Sequence, residues 1–175
     1  MKKLCRMGLV IALGLVLPVT GHLLHAQSQT SQPAVKSEKG TAMHASGPFD
    51  VKLAPQPADD KTNDPLMGRM AIDKHYHGEL EATGTGQMLT GGDYKTGSAG
   101  YVAMEKVSGT LQGRSGTFML QHSGTLNKGA QQLSITIVPG SGTGQLTGIA
   151  GKMEVKIKEG GKHFYEFEYT LPAAQ

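Results

Sequence analysis

The sequence predicts an all-β domain, a barrel or sandwich of short antiparallel strands. Three observations carry this. Apolar and polar residues alternate with period two in several separate runs, those runs are punctuated by Pro and by 25 Gly, and no window sustains the apolar spacing of a helix.

Ahead of that domain, Lys2, Lys3 and Arg6 precede an apolar run from Met7 to Leu17, then Pro18 and a small-residue region ending near Ala26. This order is that of a secretory signal peptide, too short to span a bilayer as a mature helix. Cleavage is expected after Ala26, with Gly21 as the alternative. The chain divides on this reading into a signal peptide (1–26), a flexible tether (27–45) with few apolar residues and no period, and the β domain (46–172). The expected compartment is the periplasm or the exterior.

Processing changes the electrostatics. The formal charge of +3 rests on the three leader cations, since the first acid is Glu38 and removal leaves 14 Lys and Arg against 14 Asp and Glu. A neutral chain with only Arg69 and Arg114 as arginines lacks the cationic cluster that displaces counterions from nucleic acid, so that partner is excluded. Cys5, the one cysteine, leaves with the leader. The mature domain therefore holds by packing alone, without disulfide or Cys ligand, and no membrane association is expected after processing.

The first run, Gly47 to Leu53, is a strand ended by Pro55 and Pro57, and the Asp-rich stretch 58–65 is a loop. From Gly68 the even positions Met70, Ile72, Tyr76, Leu80, Ala82 and Met88 are apolar, with Lys74 the exception. Arg69, Asp73, His75, His77, Glu79 and Glu81 then face water, and Gly78 marks a turn or bulge. The central hairpin, Tyr101 to Leu126, is expected to turn at Gly113-Arg114, with Gln112 opposite Ser115. That register sets Glu105 directly against His122 on the apolar face, alongside Val107 opposite Leu120 and Tyr101 opposite Leu126. Leu133, Ile135 and Ile137 form a further strand closed by Pro139, after which PGSGTGQLTGIAGK has the glycines to let strands cross or bend closely. In the last hairpin a three-residue loop, Glu159 to Gly161, sets Met153, Val155 and Ile157 opposite Phe167, Tyr165 and His163. This register gathers the apolar residues on one face, which a slip of one residue would undo.

The segments YVAMEKVSGTLQGRSGTFMLQHSGTL, IVPGSGTGQLTGIAGK and KHFYEFEYTL resemble the bacterial domain-of-unknown-function family three-two-two-four. The GSGTGQLTGIAG pattern with the aromatic strand after it also resembles the allene oxide cyclase and dirigent barrels. The resemblance spans roughly residues 46–172 and implies a closed antiparallel barrel of about eight strands. It implies no activity: the acidic catalytic residue of the cyclases has no counterpart in residues 47–53 or 69–77, and fold alone does not carry chemistry.

Two constellations are candidates for function. Glu105 and His122 form either an acid/base pair, in an apolar cavity that raises the carboxyl pKa or supports an imidazolium, or an internal hydrogen bond that fixes register. Tyr101, His163, Tyr165, Phe167 and Tyr169 either line the mouth of a ligand cavity or fill a small barrel. His75-x-His77 has a spacing that metal sites use but lies on the polar face and lacks a third ligand, so no metal is assigned. GSGTGQ lacks the Lys-Ser/Thr of a phosphate loop, and no cofactor is expected. The leading expectation is a barrel that binds a small, mostly apolar molecule. The alternatives are a cofactor-free isomerase or cyclase using Glu105 and His122, and a filled structural barrel. Self-association stays open.

Exported protein is expected to begin at about Gln27 and to remain in solution. Intact-mass measurement checks this, and mature protein that retains residues 1–20 contradicts it.

Overall fold

The structure, a computed structural model, describes residues 40–57 and 64–173. The expected signal peptide (1–26) and residues 27–39 of the expected tether lie outside the described residues. Eight strands follow one another: β1 (Ala42–Gln56), β2 (Met67–Tyr76), β3 (Leu80–Asp93), β4 (Ser98–Leu111), β5 (Arg114–Asn127), β6 (Ala130–Ile137), β7 (Ala150–Ile157) and β8 (His163–Thr170). They form a closed antiparallel barrel in sequence order. β1 closes it by pairing twice: Ala42 to Phe49 run against β8, and Phe49 to Gln56 against β2. This strand therefore begins before Ser46. Residues 42–45, expected in the tether, are part of the wall, and Ala45 is fully buried opposite Phe167.

Period two fixes which side chains enter the interior. Ile72, Lys74 and Tyr76 of β2, Ala103, Glu105 and Val107 of β4, Phe118, Leu120 and His122 of β5, and Tyr165, Phe167 and Tyr169 of β8 are all buried. Their sequence neighbours on the same strands face outward. The end that carries the β2–β3 and β4–β5 turns is packed solid by Leu80, Leu111, Tyr165, Phe167 and Tyr169. β6 and β7 touch through one bridge, Thr136 to Lys152, and the segment between them fills that seam with buried Leu146 and Ile149. Gly151 lets β7 lie close on β8, where a Cβ would meet Glu168 O at 2.2 Å, while the glycines before it do not bring two strands together. They serve a loop held on β5, with Thr143 donating its amide to Thr117 O at 2.8 Å. A Cβ on Gly116 would lie 2.1 Å from Thr143 O, so glycine is required on β5 for the loop to seat.

The last hairpin has the expected register, with Met153 opposite Phe167, Val155 opposite Tyr165 and Ile157 opposite His163. The central one does not. Its turn is Gln112-Gly113, with Leu111 opposite Arg114, so Glu105 faces Leu120, Val107 faces Phe118, and His122 faces Ala103. Both turn residues have positive φ, 45° and 83°, as a primed two-residue turn demands. Gln112 tolerates this because its side chain is held on three sides. Its amide donates to His44 O and to Glu79 Oε1, each at 2.8 Å, and accepts from the Tyr169 hydroxyl at 2.7 Å. The tertiary bonds thus overrule the local preference for glycine at the first turn position. The shift is two residues, an even number, so every side chain keeps its expected face.

Lys128, at φ 50° in the β5–β6 turn, has the same backbone strain without such anchors. Lys128→Gly is expected to raise stability by about 1 kcal/mol by removing the left-handed penalty. Gln112→Gly is expected to lower it by about 1–3 kcal/mol, because buried Tyr169 loses its acceptor. Urea unfolding of the two variants checks the contrast, and equal signs refute it.

Candidate functional site

Four inward side chains meet across the middle of the barrel. Lys74 and Tyr76 come from β2, Glu105 from β4 and His122 from β5. Lys74 Nζ donates to Glu105 Oε2 at 2.7 Å and to the Tyr76 hydroxyl at 3.2 Å. Tyr76 in turn donates to Glu105 Oε1 at 2.8 Å. β3 lies between β2 and β4, and the reach across it depends on Gly84: a Cβ there would lie 2.1 Å from Glu105 Oε1 and 3.1 Å from the Tyr76 ring. The Lys74 ammonium also sits 5.2 Å from the centre of the Phe49 ring, a cation–π distance.

His122 completes the group less fully. Its Nε2 lies 3.1 Å from Glu105 Oε2, which brings an ion pair within range, but the direction is not that of a hydrogen bond. Nε2 is a buried polar atom without an aligned partner. The contact is diagonal, because the register sets His122 opposite Ala103 and not opposite Glu105.

The electrostatics separate the roles. Burial pushes the Glu105 carboxyl up, but the His122 contact, the Lys74 ammonium and the Tyr76 hydroxyl outweigh it and hold the carboxyl below its usual range. Burial, reinforced by the Glu105 charge, pushes the Tyr76 phenol well above 10. The expectation of a raised carboxyl is therefore corrected: Glu105 is an anion and Tyr76 a neutral donor. Glu105 has no exposed side-chain surface, while Lys74 and His122 keep 8 % and 5 %. Sequence reasoning missed Lys74 and Tyr76 as members of the site. The signal was present in Lys74, the one charge among the inward positions of its run.

The five aromatic and histidine candidates do not share one space. Phe167 stacks between Phe118 and Tyr169, with ring centres 5.6 and 5.3 Å away. The Tyr165 hydroxyl accepts from Leu80 N at 2.8 Å and donates to His77 O at 3.1 Å, and burial pushes its pKa to about 12. Tyr165, Phe167 and Tyr169 thus plug the packed end. His163 and Tyr101 stand at the opposite end, His163 5.2 Å from the Phe49 ring and Tyr101 laid against Gly124, where a Cβ would lie 2.3 Å from its ring.

That opposite end is not sealed. Leu53, Leu133 and Ile157 occupy inward positions yet are 45 %, 46 % and 63 % exposed. Below them lie half-buried Met70 and Tyr101, packed on Ile72, Met88 and Ala103. A pocket of about 170 Å³ opens there between Ala99, Tyr101, Gly124, Leu126 and Leu133. A larger groove, about 1120 Å³, runs over Leu89, Val102, Met104 and Met119, which point outward from the wall. On the outer surface His77 lies 3.5 Å from Asp50 and 3.8 Å from Glu81, and His75 lies 3.9 Å from Asp73. Among the described residues no three His, Cys, Asp or Glu are grouped to hold a metal ion.

The family described as "Protein of unknown function (DUF3224)" matches residues 45–169. A crystal structure of a protein of unknown function from that family, from Shewanella oneidensis MR-1, is similar at 46 % identity with a TM-score of 0.70. It covers 77 % of this chain and 100 % of its own. No curated protein matches.

Lys74→Met alone is expected to cost about 3–5 kcal/mol, since it strands a buried carboxylate, and Lys74→Met with Glu105→Gln to recover most of that. The folded Glu105 pKa is lowered, so its contribution is present above the unfolded carboxylate range, about 4.3, and is lost as the pH falls through the folded value. Wild type should therefore lose stability towards acid more steeply than Glu105→Gln. Additive losses in the cycle, or parallel acid profiles in urea melts, contradict the ion pair.

Proposed function

The chain belongs to the DUF3224 family, whose description assigns no activity, and from that premise we propose that it binds a small, mostly apolar molecule in the unsealed half of its barrel. One observation carries the reading. Inward apolar side chains at Leu53, Leu133 and Ile157 are left wet at the mouth, above a buried charged layer that ends in an unpartnered His122 Nε2. A barrel filled for stability alone would cover such side chains, because each buried Leu or Ile contributes about 1.5–3 kcal/mol. Small-ligand sites combine an apolar wall with a few fixed polar groups. If the expected signal peptide directs export, such a binder would work outside the cytoplasm.

Acid/base catalysis by Glu105 is the weaker reading. A general base must come within about 3 Å of the proton it takes, and the Glu105 carboxylate is covered on every side, while its lowered pKa makes it a poor acid.

The test uses the mature protein and the apolar fluorophore N-phenylnaphthylamine. Saturable, one-to-one fluorescence enhancement is expected, with Leu133→Trp, which fills the mouth, weakening it by about tenfold or more, that is about 1.4 kcal/mol. An absence of saturable binding, or a Leu133→Trp variant that binds as wild type does, overturns the reading.

A further inference from the structure

The outer wall of the barrel is divided by charge. On β7 and β8 the outward positions carry acids and bases together, with Lys152 paired to Glu168 at 3.1 Å and Lys156 to Glu154 at 2.6 Å. On β3, β4 and β5 the outward positions from Thr83 to Leu89, Val102 to Ser108 and Thr117 to Thr125 carry one charge, Lys106, and Gln132, Ser134 and Thr136 of β6 add none. We infer that this charge-poor face binds a second copy of the chain in a symmetric dimer. The face lies outside the barrel, so the inference does not depend on the chamber reading.

The centre of the face is apolar. Leu89 stands opposite Val102, Met104 lies between Gln87 and Gln121, and Met119 stands opposite Lys106. Leu89, Val102, Met104 and Met119 therefore form one diagonal stripe across three strands. The first three are exposed, and the groove of about 1120 Å³ runs along the stripe. Interface cores are depleted of charge and enriched in methionine. Unbranched thioether side chains also adapt to an irregular partner surface, here the groove of the other copy.

What borders the stripe selects the occupant. A surface that meets its own image must be its own complement, and fixed charges fail that condition because each meets its own sign. Amides and hydroxyls satisfy it, since each both donates and accepts, and the stripe is bordered by Thr85, Gln87, Gln121 and Ser123. Lys106 has a long stem that can lie along the wall with its ammonium in water at the rim. Arg69 stands at the β2 border, where it donates to Gln87 at 3.3 Å. The area is also sufficient. Four strands about 4.8 Å apart, with five outward rows about 6.6 Å apart, present roughly 600 Å² before the relief of the side chains is counted, close to the ~800 Å² per partner of specific complexes.

Sedimentation equilibrium of the mature protein across the micromolar range tests this. Wild type is expected to show a reversible monomer–dimer equilibrium. Met104→Lys, at an exposed position where the fold tolerates change, should raise the dimer dissociation constant about a hundredfold or more, because it buries an unpaired ammonium twice in each dimer. Val102→Thr, which keeps the shape of the side chain, should weaken the dimer severalfold and decides the matter if Met104→Lys does not fold. Glu166→Lys, on the charged wall, should leave the equilibrium unchanged. A monomeric wild type overturns the inference, as does a dimer that both stripe variants leave intact or that Glu166→Lys dissociates. A monomer whose binding of N-phenylnaphthylamine falls in Met104→Lys overturns it too, and assigns the groove to a small apolar molecule.

Discussion

An ionised carboxylate inside a closed barrel must be surrounded by donors, and much of the middle of this molecule follows from that. Glu105 has no exposed side-chain surface, so leaving it unpaired would cost several kcal/mol. Lys74 neutralises it, Tyr76 satisfies its second oxygen, and Gly84 gives up a side chain so that they can meet across β3. Lys74 and Tyr76 come from β2, Gly84 from β3 and Glu105 from β4. Closure of the barrel brings them together, and their mutual satisfaction is a constraint that closure must meet.

The same layer divides the interior into unlike halves. On one side, the rings of Phe118, Phe167 and Tyr169 stack in series and the hydroxyls of Tyr165 and Tyr169 are tied to the turns. Every polar group named there has a partner, and that half has the character of a protein core. On the other side, apolar side chains that face inward remain exposed, and the floor beneath them has one donor unmet. A stable barrel needs the first half. The second half buries the smaller cluster of Ile72, Met88 and Ala103 and leaves its apolar rim wet.

Much of this was legible in the sequence, and the parts that were not share a physical reason. Alternation identified the inward set from Met70 to Met88 and the inward faces of the central and last hairpins. The last hairpin could be read in full because only one loop length collected its apolar residues on one face. The central hairpin was misplaced by two residues, and alternation has no power against an even shift, since every side chain keeps its face. What set the true register was Gln112, whose side chain binds β1, the β2–β3 turn and β8. Those partners are distant in sequence, so no local rule for hairpin turns contains them. Lys74 was visible as a break in the apolar pattern, but its partner was not, because pairing across an intervening strand depends on the closed geometry.

The ionic cluster supplies the discrimination that alternation lacks. Hydrophobic burial scores a barrel and its two-residue slips almost alike, whereas hydrogen bonds and ion pairs are directional and fail when displaced by a strand repeat of about 6.6 Å. If β3 slid by two residues in one direction, Ala82 would come to the place of Gly84, and its methyl would enter the space that Glu105 Oε1 and the Tyr76 ring now occupy. If β5 slid by two, His122 would leave the carboxylate it now faces at 3.1 Å. An all-apolar layer of the same volume would often be as stable or more so, but it would place no such limit on register. The polar layer therefore holds the register through one property, its intolerance of displacement.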